Sequence, residues 1–361
     1  MTGPDDQLLD PIAVLMARLL ALLETLEAIA RRLHPPVVAS LAALMHDEDA
    51  ALRAAQERFA TVAWPEALHL FRDHADRAST CALRAADGLR AAASTGDLRA
   101  AYRALRQLPR ALEALYPLAG ALPAVSRFFL EPSRRDDADL LGRLAVGAER
   151  TGVMHAGNDT NERGGVSIYV PEDYDPRHAC PLVMALHGGA GHGRLFLWSW
   201  LREARSRGVI VVAPTATGDT WSLMQPELDG ANLAHILDQV AASWPIDRSR
   251  VLLTGMSDGG TFTLVSGLDE ASPFTHLAPV AASFHPLLLG MASPRRVSGL
   301  PVYLVHGALD WMFPVSVGRA AHEALRAAGA AVVYQEIADL SHTYPREQNC
   351  PILDWLCGSG G

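Results

Sequence analysis

From about Gly152 onward the chain repeats one pattern: a short unbroken apolar run, a stretch of helical periodicity, then another run. The runs cover residues 182–186, 209–213, 251–254, 277–282, 302–305 and 332–337. A strand with one wet face alternates polar and apolar residues, so an unbroken run implies cover on both faces. Helical stretches around residues 195–205, 228–243, 261–268 and 317–328 supply that cover. Val166, Ile168 and Val170 alternate instead, as a half-buried strand does. The pattern predicts an α/β domain built on a mostly parallel open sheet.

The first part of the chain has a different period. Residues 1 to about 145 read as helix throughout, with no strand signal. Pro35-Pro36 ends a long helix that begins near Pro11, and a second helical run covers residues 37–61. Pro65 suits the first turn of a third helix, which stops near Ser94-Thr95-Gly96. Asp97 reads as the N-cap of a fourth helix carrying Ala101, Leu105, Leu108, Leu112 and Leu115 on one face. Pro109 should kink or split it. A length of 361 residues fits two domains at about 100–200 residues each. The expected division is a helical bundle over 1–145 and an α/β domain over 146–361.

Composition removes several function classes. A hydrophobic share of 49% with 20% charged residues describes a chain able to bury a core. The net charge of −9 argues against nucleic acid as a partner. Every one of the 31 basic residues is Arg. Cys81, Cys180, Cys350 and Cys357 form no CxxC pair, and free thiols are expected, which suggests a reducing compartment. Asp5 and Asp6 open the chain where a secretory signal would be basic, and no run of 18 uncharged apolar residues exists. The expectation is a cytoplasmic protein without a membrane span.

The chemistry concentrates at strand ends. Gly255-Met256-Ser257-Asp258-Gly259 follows one predicted strand and precedes a helical run. This context fits G-x-S-x-G, where a tight strand-to-helix turn exposes a serine hydroxyl at the sheet edge. A serine nucleophile needs a base. Of 14 histidines, His342 lies in a loop after the last predicted strand, from which an imidazole can reach across a sheet edge. The run Pro301-Val302-Tyr303-Leu304-Val305-His306-Gly307-Ala308-Leu309-Asp310 ends on a carboxylate able to orient that imidazole. Asp339 is the competing acid, but it lies only three residues before His342.

Acyl transfer also needs hydrogen-bond donors for a developing oxyanion. His187-Gly188-Gly189-Ala190-Gly191 follows another strand, and its glycines permit inward-turned N–H groups. The expected donors are Gly189, with Gly188 or Ala190 as neighbour, and the N–H of Asp258. His187 reads as structural packing beneath the loop. His187 and His192 lack a third ligand at recognised spacing, so neither metal nor other cofactor is expected.

The order Ser257, Asp310, His342 on successive strands, with the His187-Gly-Gly loop upstream, resembles the α/β-hydrolase superfamily. The segment Asp247-Arg248-Ser249-Arg250-Val251-Leu252-Leu253-Thr254-Gly255-Met256-Ser257-Asp258-Gly259-Gly260 is similar to that of phospholipase/carboxylesterase-like and polyhydroxybutyrate-depolymerase-like esterases. The resemblance runs from about Gly152 to the last residue. It departs at Ser341, where Gly is commoner, and in the added helical region. It implies a serine carboxylesterase acting on a small-molecule ester through an acyl-enzyme. Feruloyl or hydroxyalkanoate ester hydrolysis, or a serine peptidase, would use the same triad, and a non-catalytic binding protein is the reading from another class.

About 18 residues separate the runs ending at Ala282 and starting at Pro301, too few for a helical cap. Trp221, Trp311 and Phe284 are the expected substrate contacts. The helical half is expected to act as the missing lid or as a homo-oligomerisation domain. Two features suggest this: the lack of an internal cap, and the wide apolar face of Leu8, Leu9, Ile12, Leu15, Leu19, Leu20 and Leu23; the segment Arg127-Phe128-Phe129-Leu130 is expected nearest the site.

Overall fold

The computed structural model describes residues 6–358; Met1–Asp5, including the first of the two opening acidic residues, and the last three glycine-rich positions lie outside the described residues. The chain divides into two compact units, meeting between Leu141 and Gly142.

The first unit is helical. Its opening helix runs Asp6–Arg32 and carries Pro11 inside it, so it starts earlier than the proline suggests. Leu15, Leu19, Leu22, Leu23, Leu26 and Ile29 are fully buried, while Leu9 is exposed. This helix packs against the helices Glu48–Ala60 and His69–Thr95 of the same unit. The apolar face is thus used within the bundle of this unit. Residues 35–45 are short 3-10 and α turns, not one continuous helix. Gly96 closes His69–Thr95 in the left-handed conformation (φ 68°), and the Asp97 side chain accepts the Ala100 N–H at 3.0 Å. The fourth helix splits into Leu98–Leu105 and Gln107–Leu115. The break falls where the Pro109 ring would meet the carbonyl of Leu105. Phe128 and Phe129 are buried, and Phe129 meets Tyr116 edge to face at 5.3 Å.

The second unit holds eight strands: β1 Gly152–Ala156, β2 Val166–Val170, β3 Cys180–Leu186, β4 Ile210–Pro214, β5 Ile246–Met256, β6 His276–Val280, β7 Pro301–Gly307 and β8 Ala331–Ile337. Their order in the sheet is β1-β2-β4-β3-β5-β6-β7-β8. β1–β2 and β2–β4 pair antiparallel; the other five pairings are parallel. This is the α/β-hydrolase fold, preceded by an all-helical region. The centre of the sheet is dry, with residues 182–186 and 251–254 fully buried. β8 departs from the expectation of cover on both faces: it is an edge strand, and Gln335 and Glu336 keep it partly wet. β1 carries no apolar run because it too is an edge, its last two residues exposed. Two short helices, Leu287–Met291 and Pro294–Val297, fill the link from β6 to β7. No helix among the described residues is long and apolar enough to cross a membrane.

Candidate active site

β5 sits at the middle of the sheet, and Ser257 follows its last residue. The turn into the helix Asp258–Gly267 is so tight that Ser257 is held at φ 56°, ψ −119°, a left-handed backbone unusual for a residue with a side chain. Two glycines allow it. A Cβ on Gly255 would lie 2.5 Å from the backbone of Gly259, and one on Gly259 would lie 2.5 Å from the carbonyls of Leu186 and His187. The Ser257 N–H is engaged by the Val280 carbonyl at 3.0 Å. The Asp258 N–H opens the helix, where backbone donors lack intrahelical acceptors.

β7 and the loop after β8 deliver the other two groups. Ser257 Oγ donates to Nε2 of His342 at 3.0 Å, and Nδ1 of His342 donates to Oδ2 of Asp310 at 2.8 Å. All three residues are buried. The second carboxylate oxygen, Oδ1, accepts the N–H groups of Met312 (2.9 Å) and Phe313 (2.8 Å). Burial pushes the Asp310 carboxyl up, but the His342 hydrogen bond and these backbone donors outweigh it, so it stays below the ordinary value. Asp310 is thus a carboxylate in direct hydrogen-bond contact with the imidazole.

Residues Gly188 to Gly191 form a turn closed by the Gly191 N–H on the Gly188 carbonyl (3.0 Å), with Ala190 at φ 51°. A Cβ on Gly188 would lie 3.6 Å from the Ser257 Cβ, so this turn runs beside the serine. His187 Nδ1 also donates to the Gly188 carbonyl, at 2.7 Å, while its Nε2 accepts the Ala216 N–H at 3.1 Å. Those two bonds require the neutral ring with hydrogen on Nδ1. Burial keeps it neutral, lowering its pKa to about 4 against the pull of the Gly188 carbonyl. Because a trans peptide points its C=O and N–H in opposite directions, anchoring the Gly188 carbonyl also fixes the direction of the Gly189 N–H.

Trp221, expected as a substrate contact, is only 2% exposed. Its ring stacks on Phe262 (5.4 Å) and tilts against His187 (4.9 Å), and its Nε1 donates to the His187 carbonyl at 2.8 Å. It thereby holds His187, the residue that precedes the Gly188–Gly191 turn. Phe284 is half-buried against the core. Trp311, beside Asp310, is 44% exposed. The composition pattern missed a further tie: Thr220 Oγ1 donates to Asp258 Oδ2 at 2.6 Å, joining the loop after β4 to the serine turn. Nothing in sequence spacing marks that pair, which lies 38 residues apart. Among the described residues no cluster of three or more His, Cys, Asp or Glu side chains is placed to hold a metal.

The strand order is that of the α/β-hydrolase fold, and Ser257, Asp310 and His342 gather at the carboxyl edge of β5, β7 and β8. Residues 230–355 match the family described as Phospholipase/Carboxylesterase. A bifunctional acetylxylan esterase/xylanase, XynS20E of Neocallimastix patriciarum, is 31% identical over 149 residues, 40% of this chain. The chain spans only 21% of that curated relative's length. Similar solved structures include a thermostable esterase (20% identity, TM-score 0.46, 57% of this chain and 62% of that one). Esterase PE8 is 19% identical, with TM-score 0.45 and coverage of 58% and 99%. A truncated carbohydrate esterase from gut microbiota is 15% identical, with TM-score 0.47 and coverage of 59% and 98%.

Proposed function

We propose that the chain is a serine carboxylic ester hydrolase. The observation that carries the reading is the continuous Ser257–His342–Asp310 hydrogen-bond chain at the strained serine turn. Ser257 Oγ attacks the ester carbonyl as its proton passes to Nε2 of His342. Asp310 keeps the Nδ1–H tautomer and steadies the imidazolium. The oxyanion takes hydrogen bonds from the N–H groups of Gly189, with Gly188 and Ala190 shaping the turn, and of Asp258. His342 then returns the proton to the departing alkoxide, leaving an acyl-Ser257. Water, deprotonated by His342, attacks the acyl carbon and frees the carboxylic acid and Ser257.

The partial likeness to an acetylxylan esterase favours a short acyl group on a carbohydrate as a second, narrower reading. The test is a fluorophosphonate label with a panel of p-nitrophenyl esters of rising acyl length, feruloyl and hydroxyalkanoate esters, acetylated xylan and matching amides. We expect labelling at Ser257, ester turnover, and a fall in kcat of about 10⁴-fold or more in a folded Ser257→Ala variant. Near-normal turnover by that variant would overturn the mechanism. Turnover of amides above esters would make the chain a peptidase, and absence of label would make it a binding protein.

A further inference from the structure

Arg163 sits in the loop between β1 and β2, in a different part of the sequence from every residue of the proposed mechanism. Its Nη1 donates to the Gly191 carbonyl at 2.8 Å. Its Nε donates to the Gly218 carbonyl at 2.8 Å, and Nη2 donates to the same oxygen. One planar guanidinium therefore bridges the last residue of the turn beside Ser257 and the loop that follows β4.

That second loop is a firm anchor. Asp229, fully buried on the helix Pro226–Ser243, accepts the N–H groups of Thr217 (2.9 Å) and Ser222 (2.8 Å) and the Thr217 hydroxyl (3.0 Å). The same loop supplies Thr220 to Asp258 and Trp221 to the His187 carbonyl. The turn itself leaves no slack at Gly191, where a Cβ would lie 2.7 Å from the Gly188 carbonyl oxygen. Burial, aided by the Arg163 charge, also keeps His187 neutral against the Gly188 carbonyl it holds. The near end of the turn is thus fixed through Gly188 and the far end through Gly191.

We infer that Arg163 is a positioning residue: a strut that ties Gly191 to the anchored loop after β4 and so aims the Gly189 N–H at the oxyanion forming on Ser257. The inference rests on the esterase reading and deepens it. A planar fork fits the task because its donors meet two carbonyls in fixed geometry, which the point charge of a lysine does not. Misplaced donors weaken the transition state and leave ground-state binding in place.

The test compares Arg163→Met and Arg163→Lys with wild type in the full chain. The readouts are kcat, KM, melting temperature and the affinity of an aryl boronic acid, which becomes tetrahedral on the serine. We expect kcat to fall about 10–100-fold in both variants with KM little changed, and boronate affinity to fall in parallel. Asp159→Asn is the control. It breaks the neighbouring ion pair with Arg194 and touches neither Gly191 nor Gly218; it should leave kcat as it is. If Arg163→Met does not fold, Arg163→Lys carries the comparison. Folded variants with wild-type kcat and boronate affinity, or a loss seen only in KM or melting temperature, would overturn the inference. Failure of the esterase reading looks different: the wild-type chain itself would neither label at Ser257 nor turn over esters.

Discussion

Asp310 and Asp339 have the same chemistry and sit at opposite ends of the same problem. Asp310 meets His342 Nδ1, and its other oxygen accepts two backbone donors. Asp310→Asn should therefore lower kcat by about 10³–10⁴-fold by losing the correct tautomer, while Asp339→Asn changes it less than a few-fold. Steady-state kinetics on a p-nitrophenyl ester decides it; a crippled Asp339→Asn would move the acid to the other carboxylate. His187 leads to a prediction of another kind. Unfolded, it takes a proton below its ordinary value of 6.5; folded, it resists protonation until about 4. Between those pH values the unfolded chain binds more protons, so stability drops as pH falls through that window, by roughly 3 kcal/mol in total. Urea unfolding at stepped pH measures the slope, which should flatten in His187→Gln.

The strand–turn–helix unit at Ser257 is the most constrained element of the second unit. Gly259 lies against the carbonyls of Leu186 and His187, so β3 and the helix Asp258–Gly267 touch backbone to backbone. Gly259→Ala should push them apart, costing about 1–3 kcal/mol in stability and displacing the carbonyl that Trp221 holds. Thermal unfolding and kcat should fall together, and an unchanged melting temperature would show that the contact relaxes freely. In the helical unit, Asp97 caps Leu98–Leu105 through the Ala100 N–H. Asp97→Ala should lower stability by about 1 kcal/mol without altering kcat.

The prediction at the scale of the whole chain concerns the helical unit. Its opening helix buries its apolar face on neighbours in the same unit. We propose that it acts either as a lid or as an oligomerisation domain. A chain shortened to begin at Asp137, whose side chain caps the last helix before the sheet at Leu140, tests both. Retained Ser257 labelling with altered acyl-length preference and KM is the lid outcome. An unchanged preference with fewer subunits per particle than the parent is the oligomer outcome. A monomer of wild-type kinetics, derived from a monomeric parent, would remove both.

Much of this architecture is written in local pattern. The apolar runs at 182–186 and 251–254 had to be central strands, because nothing else buries an unbroken run on both faces. The serine turn was legible because a strand, two spaced glycines and a helix are adjacent in the chain. Asp97, Gly96 and the split before Pro109 follow from caps and ring sterics that act over a few residues. The edges were less legible: β1 has too little apolar content to announce itself, and β8 looked like a core strand although one of its sides lacks a neighbour. Least legible were the supports of the site. Arg163 is one of 31 arginines, and Trp221 one of seven tryptophans. Residue type and spacing say what a side chain can bond, but the partner of each is a carbonyl or carboxylate brought near only when the loops after β1, β3, β4 and β5 converge. The groups of the proposed triad are set by local sequence, and the groups proposed to aim them by long-range packing.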